Sequence, residues 1–376
     1  MSEAKYKKAA GIINKAGGTP LPINETLLTI LKYIINEDEL DFINLAFRRK
    51  ISQTMEQLKE SSKLPEDEIL KKAEALAKKG VMFNQPNRQG VMVYRLLPLI
   101  NVGVFEYTFM KKLVFSEENK KLSNLFAKLL DGLGDLVQNN YDMLISMMQK
   151  QRPIDRTVPI LKNKETGKDI EIIVDESIEV PEQKVVPTQN VEELINKFDD
   201  IAVGHCFCRH HNDLLGDPCK QTDARENCFT FGKSARHVSE NGFGRLVSKE
   251  EALKILKDAE EAGLIHKAYH PGFDITRDET SICNCCKCCC GQSGHRFPTI
   301  NATNYISQFN QDLCVGCGTC IEKCHFDSIQ LNEDNKAERV GEYCIGCGLC
   351  AHFCPENAIS MIEGERIIRI PPPRRI

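Results

Sequence analysis

The sequence predicts an α+β protein built from several domains. It has 376 residues, 41% of them hydrophobic, which is enough to form two or three separate cores. Helical periodicity and one hairpin pattern occupy the first part of the chain, whereas all 18 cysteines lie between Cys206 and Cys354. This uneven distribution indicates a mainly helical N-terminal region, followed by domains that are organised around their cysteines.

Composition and charge predict a soluble, cytoplasmic protein. The net charge of −4 does not favour nucleic acid or an anionic membrane as a partner. The N-terminus carries lysines without an apolar stretch behind them, so it is a poor signal peptide. The longest apolar run, Leu96–Phe105, is too short to span a bilayer. In a cytosolic protein of this size we do not expect the cysteines to form a disulfide framework.

Two motifs near the C-terminus share the spacing C-x2-C-x2-C-x3-C. They are CVGCGTCIEKC, which begins at Cys314, and CIGCGLCAHFC, which begins at Cys344. Glycines between the cysteines let each loop curl and turn its amides toward cluster sulfurs. This double run is typical of bacterial ferredoxins with two clusters, in which the fourth cysteine of each motif binds the other cluster. Two structural zinc sites are the alternative.

Residues 303–363 therefore resemble the two-[4Fe-4S] ferredoxins. The resemblance implies one-electron transfer at low potential through two clusters that lie close together. It also implies that one [4Fe-4S] cluster is held by Cys314, Cys317, Cys320 and Cys354, and the other by Cys344, Cys347, Cys350 and Cys324. Cys324 is followed by His325 where the pattern has proline, which changes the local rigidity or adds a polar group without removing a ligand.

Ten more cysteines lie upstream and are candidate metal ligands. They are Cys206, Cys208, Cys219, Cys228, Cys283, Cys285, Cys286, Cys288, Cys289 and Cys290. A helix is predicted between the two groups, over residues 249–262, because Ser248 and Glu251 form a capping box and Gly263 is a C-terminal stop. Such a helical hairpin brings the two groups together, so we interpret ICNCCKCCCG as one half of a split metal site.

This segment resembles a family of iron–sulfur proteins from anaerobes. The family combines a C-x-C-R stretch, a C-x-x-F-G stretch, an EEAL…AEEAGL helix, an ICNCC-x-CCC stretch and a ferredoxin module. The matching parts here are Cys206–Arg209, Cys228–Gly232, Glu250–Leu264 and Ile282–Cys290. The resemblance implies an architecture, a cysteine-rich α/β domain before the ferredoxin domain, more than it implies an activity.

The local conformation decides how these cysteines are shared. An extended stretch would place Cys283, Cys285 and Cys289 on one side and Cys286, Cys288 and Cys290 on the other. A helical stretch would pair Cys285 with Cys289 and Cys286 with Cys290. Ten cysteines suffice for one or two additional [4Fe-4S] clusters. Zinc is the alternative, bound by four cysteines or by three together with one of His205, His210, His211 or His295.

Residues 22–98 resemble a winged-helix domain. Two helical stretches and a short helix are followed by a helix that starts after Pro65 and ends at Gly80, and then by a hairpin. The first turn of that last helix is Glu66, Asp67 and Glu68, which suits the helix dipole but repels phosphate. We therefore interpret this domain as a surface for homodimerisation or docking, with DNA binding as the disfavoured alternative.

These patterns predict the domain order and the function. The domains are a winged-helix-like domain (1–100), a helical and extended connector (101–187), a cysteine-rich cluster-binding domain (188–300), a two-[4Fe-4S] ferredoxin domain (301–364) and a proline/arginine tail (365–376). We expect an iron–sulfur electron-transfer protein of anaerobic redox metabolism, a subunit of or donor to an oxidoreductase. No set of catalytic residues stands out. The alternatives are a redox-sensing transcription regulator and an oxidoreductase whose substrate binds an open cluster site.

Overall fold

The computed structural model describes residues 2–17, 21–87, 89–174, 190–271, 277–291 and 297–375. The chain forms two compact units. The first unit contains Met1–Leu136, Gly204–Pro218 and Lys233–Leu246, and the second contains Val137–Val203, Cys219–Gly232 and Val247–Ile376. Both helices and strands are present, which confirms the α+β class in its coarse form. His295 and residues 175–189 of the predicted connector lie outside the described residues.

Helices dominate the start of the chain, and strands become frequent later. The early elements are α1 (Ser2–Asn14), α2 (Glu25–Ile34), α3 (Glu37–Ala46), β1 (Ser52–Gln53), α4 (Met55–Ser62), α5 (Glu66–Lys78), β2 (Met82–Pro86), β3 (Met92–Leu96), α6 (Val104–Met110), α7 (Glu117–Asn139) and α8 (Tyr141–Met148). The middle elements are β4 (Asp155–Val158), β5 (Ile172–Val174), α9 (Val191–Asn196), β6 (Ile201–His205), α10 (Phe207–Leu215), β7 (Glu226–Phe231), α11 (Lys233–Glu240), β8 (Gly244–Leu246), α12 (Lys249–Glu261), β9 (Ile265–Tyr269) and β10 (Ser281–Cys285). The last elements are β11 (Thr299–Phe309), α13 (Thr319–Lys323), β12 (Ile329–Leu331), β13 (Ala337–Arg339), α14 (Leu349–His352) and β14 (Ile359–Ile370).

The helices and the hairpin predicted over residues 22–98 are present in the first unit. Capping boxes at Asn36 and Thr54 begin α3 and α4, and α5 starts directly after Pro65. Gly80 follows α5 with a φ of +73°, the left-handed conformation that ends a helix most easily at glycine. The strands β2 and β3 pair as an antiparallel hairpin, and β1 joins the outer edge of β3.

One mixed sheet organises the second unit. The strands that this unit contributes follow the order β5-β14-β11-β4-β9-β10-β7-β6. β10 is antiparallel to both of its neighbours, β9 and β7, and β4 is parallel to β11 and antiparallel to β9. The helices α9 and α12 cover part of the sheet, where Leu194 and Leu256 pack with Phe229 and Ile282. The sheet thus places the cysteine-bearing strands β7 and β10 in the same layer as the strands that flank the ferredoxin motifs.

The proline/arginine tail predicted from residue 365 begins later than expected. The strand that follows the second ferredoxin motif, β14, continues to Ile370. Arg366 pairs with Thr303 and Ile370 with Thr299, so these residues complete the ladder between β11 and β14. Burial of Ile368 and Ile370 explains the extension, because an apolar strand end gains stability by packing against the sheet. The other predicted boundaries stay predictions.

A buried ion pair joins β4 to the segment before β10. The Arg156 guanidinium lies 2.8 Å from the Glu279 carboxylate, and both side chains are 2% exposed. Removing one partner of such a pair leaves a charge in a low-dielectric environment, so both residues depend on each other.

We expect Glu279→Ala to lower the free energy of unfolding by about 3–5 kcal/mol, because it leaves Arg156 without its carboxylate. Chemical denaturation followed by circular dichroism measures this change. The control is Glu74→Ala, which removes the exposed pair with Lys78 and is expected to cost less than about 1 kcal/mol. Equal effects of the two substitutions would contradict the prediction.

Candidate metal centres

The two ferredoxin-type motifs fold as loops that each lead into a short helix. Gly318 precedes α13 and Gly348 precedes α14, with φ angles of +75° and +78°. Both glycines therefore occupy the left-handed region that other residues enter only at a cost. Between the two motifs, β12 and β13 pair antiparallel.

One cavity gathers cysteines from both motifs. It is lined by Cys314, Cys317, Cys320 and Cys354, which we call set 1. Its other walls are mainly apolar, with Phe309 and Ile359 among them. Burial, together with the nearby thiols of Cys317, Cys354 and Cys314, raises the pKa of Cys320 to about 11.

Backbone amides point at the sulfurs of set 1. The Ala337 N–H donates to Cys314 Sγ over 3.2 Å, and the Ala358 N–H donates to Cys354 Sγ over 3.3 Å. Such donors stabilise thiolates that bind a metal cluster. An apolar cavity, four converging thiols and amides directed at sulfur fit a [4Fe-4S] cluster, in which set 1 would be the ligands.

The other four ferredoxin cysteines form set 2: Cys344, Cys347, Cys350 and Cys324. Burial raises the pKa of Cys347 to about 12, and the thiols of Cys344 and Cys324 act in the same direction. The Ser328 N–H donates to Cys324 Sγ over 3.4 Å. This set mixes three cysteines of the second motif with the last cysteine of the first. Its residues also fit a [4Fe-4S] cluster, which would supply one-electron chemistry when bound.

The unusual His325 is buried and has a structural contact. Its Nε2 donates to the carbonyl oxygen of Gly263, 3.0 Å away, directly after α12. His325 thus adds a polar link between the first ferredoxin motif and the end of this helix. That helix runs from Lys249 to Glu261, and the Ser248 side chain accepts from the Glu251 N–H, as the sequence predicts.

The stretch from residue 283 to 290 is neither fully extended nor helical. It begins inside β10, which ends at Cys285, and residues 287–289 then form a turn. Cys283 and Cys285 share one face of the strand, as alternation requires. The turn then changes the direction of the chain, so the grouping expected for an extended stretch does not hold beyond Cys285.

The turn brings together a compact group of four cysteines, the turn group: Cys219, Cys286, Cys288 and Cys289. Their Sγ atoms all lie within 4.8 Å of one another. The pKa of Cys219 is lowered, first by hydrogen bonds from Cys286 and Cys289, and in addition by the backbone amides of Gln221 and Thr222. One upstream cysteine thus lies beside three from the cysteine-rich stretch, and the split metal site stays a prediction.

The remaining cysteines of the second unit form the strand group: Cys228, Cys283, Cys285 and Cys290. The register pairs Ile282 with Phe229, and one step further Cys283 Sγ lies 4.0 Å from Cys228 Sγ. Cys285 and Cys290 are buried in one apolar cluster, and Cys283 packs against it. Cys206 and Cys208 belong to the first unit, where Cys206 is the N-cap of α10.

Three histidines that were considered as ligands have other contacts within the first unit. His205 Nδ1 accepts from the Leu113 N–H over 3.2 Å, and His211 Nε2 lies 3.0 Å from the Ser123 carbonyl oxygen. His210 is buried, and burial lowers its pKa. These contacts favour hydrogen-bonding functions for His205 and His211.

Sequence reasoning missed a buried polar network beside the strand group. The Lys267 ammonium on β9 lies 2.8 Å from the Asp155 carboxylate on β4, and neither side chain is accessible to solvent beyond 2%. Burial by itself would lower the pKa of Lys267, but Asp155 and the thiols of Cys285 and Cys290 raise it above its ordinary value. No sequence pattern identifies this lysine, because only the pairing of β9 with β4 and β10 brings these groups together.

Gln221 and Asn284 were missed as well. The Gln221 side chain donates to the carbonyl oxygens of Ala262 and Gly263 and accepts from the Lys287 N–H. Asn284 lies between two cysteines of the strand group and donates to the Asn227 carbonyl oxygen over 2.6 Å. These amides hold the turn and the strand in place through the backbone.

Comparisons with known proteins agree with the geometry of the ferredoxin region. A family model described as a 4Fe-4S dicluster domain matches residues 307–361. A probable ferredoxin from Methanosarcina thermophila is 44% identical over 32 residues, which is 8% of this chain and 55% of that protein. The chain thus spans about half the length of that relative. No solved structure matches. Together these matches support an iron–sulfur protein with a 4Fe-4S dicluster domain in this region.

Within the described residues we find no helix with the length and apolar character that are needed to cross a bilayer.

The equivalent glycines Gly348 and Gly318 provide a matched test of the cluster loops. A Cβ at Gly348 would lie 2.2 Å from the Ile160 carbonyl oxygen, whereas a Cβ at Gly318 would meet nothing within 4 Å. We expect Gly318→Ala to cost about 1–2 kcal/mol of backbone strain and to keep its clusters. Gly348→Ala adds a backbone clash, so we expect it to lose iron and sulfide from set 2. Iron analysis and thermal unfolding measure both effects, and equal iron content in the two variants would contradict the prediction.

Proposed function

We propose that the protein transfers electrons along a chain of iron–sulfur clusters in its second unit. It would act as a subunit of, or donor to, an oxidoreductase in anaerobic redox metabolism. The observation that carries the proposal is the cavity of set 1, which collects three cysteines from the first motif and Cys354 from the second. This crossed arrangement is the ligand pattern of two-cluster ferredoxins, so sets 1 and 2 would each hold a [4Fe-4S] cluster.

A third cluster is proposed at the strand group. Four cysteines supply the ligands of one [4Fe-4S] cluster, and two of them are adjacent across the β10/β7 ladder. Cys285 and Cys290 share an apolar environment with Ile345 and Leu349 of the second ferredoxin motif, and Cys347 packs against the same cluster of side chains. An electron could therefore pass from the strand group to set 2 and on to set 1.

Lys267 would tune the cluster at the strand group. Its ammonium group is fully buried and is held by Asp155, so it is a fixed positive charge next to Cys285 and Cys290. A [4Fe-4S] cluster becomes more negative when it is reduced, and a nearby buried cation stabilises the reduced state. We propose that this lysine raises the reduction potential of the third cluster above that of a cluster without such a cation.

The first unit is proposed to serve docking or homodimerisation through a winged-helix-like domain. The succession of α3, β1, α4, α5, β2 and β3 supports this assignment. Lysines that could contact phosphate are paired with carboxylates: Lys72 with Asp38, and Lys79 with Glu39. These pairs and the acidic first turn of α5 weaken any interaction with DNA. A redox-sensing regulator and an enzyme with an open cluster site therefore stay alternatives without a specific observation in their favour.

Anaerobic purification with iron and sulfide analysis tests the proposed clusters. We expect about twelve irons per chain, four for each of three [4Fe-4S] clusters, and EPR signals of reduced clusters that interact. Cys228→Ser should remove about four of these irons, whereas the matched variant Cys208→Ser should keep them. About eight irons in the unmodified protein would mean that only the two ferredoxin clusters are present. Loss of iron in Cys208→Ser would mean that Cys208 is a ligand of the third cluster.

Lys267→Met tests the electrostatic contribution of the buried lysine. We expect the reduction potential of the third cluster to fall, since the positive charge is lost. The free energy of its one-electron reduction should become less favourable by an amount on the order of 1 kcal/mol. A redox titration followed by EPR measures the potential. The control is Lys257→Met, which removes an exposed lysine of α12 and should leave the potential unchanged. Identical potentials in both variants would show that Lys267 does not act on the cluster.

A further inference from the structure

The turn group differs from the other cysteine sets in the distances between its sulfur atoms. Cys219 Sγ lies 3.5 Å from Cys288 Sγ, and Cys288 Sγ lies 3.6 Å from Cys289 Sγ. Four sulfurs that surround one zinc ion at about 2.3 Å are separated by about 3.8 Å along each edge of the tetrahedron. In a [4Fe-4S] cluster each thiolate binds a different iron, so the sulfurs must stand further apart.

The ferredoxin region provides an internal comparison. In the part of the chain that the structure describes, the turn group is the one set of three or more ligand-type side chains whose ligand atoms all lie within 4.8 Å. Sets 1 and 2 lie in the region that matches a dicluster domain, and they do not meet this spacing. The same chain thus presents wide thiol sets where cubane clusters are expected and one narrow set elsewhere.

From this spacing we infer that Cys219, Cys286, Cys288 and Cys289 form a tetrahedral site for a single zinc ion, separate from the iron–sulfur clusters. Four thiolates satisfy the coordination of zinc completely, which is the arrangement of a closed structural site. The inference goes beyond the proposed electron transfer and does not depend on it.

The surroundings of the turn group are built to hold a fixed geometry. The Cys289 N–H donates to Cys286 Sγ over 3.3 Å, which closes the turn around its first ligand. Gln221 lies two residues after Cys219 and accepts from the Lys287 N–H over 2.9 Å, so it ties both arms of the site together. Cys219 and Cys286 also pack with Ala259 and Leu264 at the end of α12. Supporting contacts of this kind orient metal ligands and raise the affinity for the ion.

A zinc ion in the turn group would fix this turn in its position beside the ferredoxin region. Lys287 lies between ligands of the turn group, and its ammonium donates to the Cys324 carbonyl oxygen over 3.0 Å and to the Asp327 carboxylate over 2.7 Å. Cys290, the next residue after the last turn ligand, belongs to the strand group. A zinc ion here would therefore hold the third cluster and the ferredoxin loops in one arrangement without transferring electrons itself.

The test uses the full-length protein, produced anaerobically in a medium that contains both iron and zinc. We expect about one zinc ion per chain that survives dialysis against a mild chelator. X-ray absorption at the zinc edge should show four sulfur neighbours at about 2.3 Å and no iron in the second shell. This measurement needs no variant, so it decides the assignment even if substitutions in the turn prevent folding.

Two variants locate the ion. Cys286→Ser/Cys289→Ser should lose zinc and keep its iron, whereas the control Cys228→Ser should keep zinc and lose about four irons. If the strand group binds no cluster, the control Cys228→Ser would lose no iron. The zinc result would still stand. The two proposals can therefore fail separately.

Three results would overturn the zinc assignment. The first is a zinc-free protein with about sixteen irons per chain, which indicates a fourth cluster. The second is a single iron with the EPR signal of a high-spin ferric ion in four thiolates. The third is zinc that is retained in the double cysteine variant, since the ion would then lie elsewhere.

Discussion

The position of β10 between β9 and β7 controls which cysteines can share a metal. Antiparallel pairing places Cys283 beside Cys228 and opposite Lys267, and Cys285 opposite Ile265. Because the strand ends at Cys285, the side chains of the following cysteines no longer alternate between the two faces of the sheet, and these residues fold into a turn. One short stretch thereby divides its thiols between a strand group and a turn group, which a continuous strand or helix would not do.

Burial shifts the ionisation of thiols and charged groups in the second unit. The pKa values of Cys320, Cys347 and Cys350 are raised, chiefly by burial, so these groups are poor thiolates in the absence of a cation. A bound metal or cluster would shift each thiol to its thiolate form, since coordination displaces the proton. Binding is thereby coupled to folding. The buried pair of Lys267 and Asp155 shows the same principle in another form, because each charge is tolerated only beside the other.

The two ferredoxin motifs are alike in sequence but differ in their packing. Both carry glycine after the second cysteine, and both glycines adopt positive φ angles. Only Gly348 lies against another backbone segment, at Ile160 just after β4, whereas the space beside Gly318 is open. The first motif instead uses His325 to reach the end of α12. Equivalent positions in the repeat therefore carry different structural constraints.

Much of the secondary structure and the ferredoxin cysteines could be read from local patterns. Capping residues, Pro65, Gly80 and the periodicity of apolar residues predict α3, α5 and α12, because they act over a few neighbouring residues. The C-x2-C-x2-C-x3-C spacing likewise predicts a 4Fe-4S dicluster domain, which the family match over residues 307–361 supports, since ligand spacing is a local pattern. Only the tertiary structure decided how the upstream cysteines are divided into two groups. It also decided that Lys267 lies near two of them and that Gln221 bonds to the turn. These arrangements depend on strand order and register across residues that are far apart in the chain, and no local pattern specifies those.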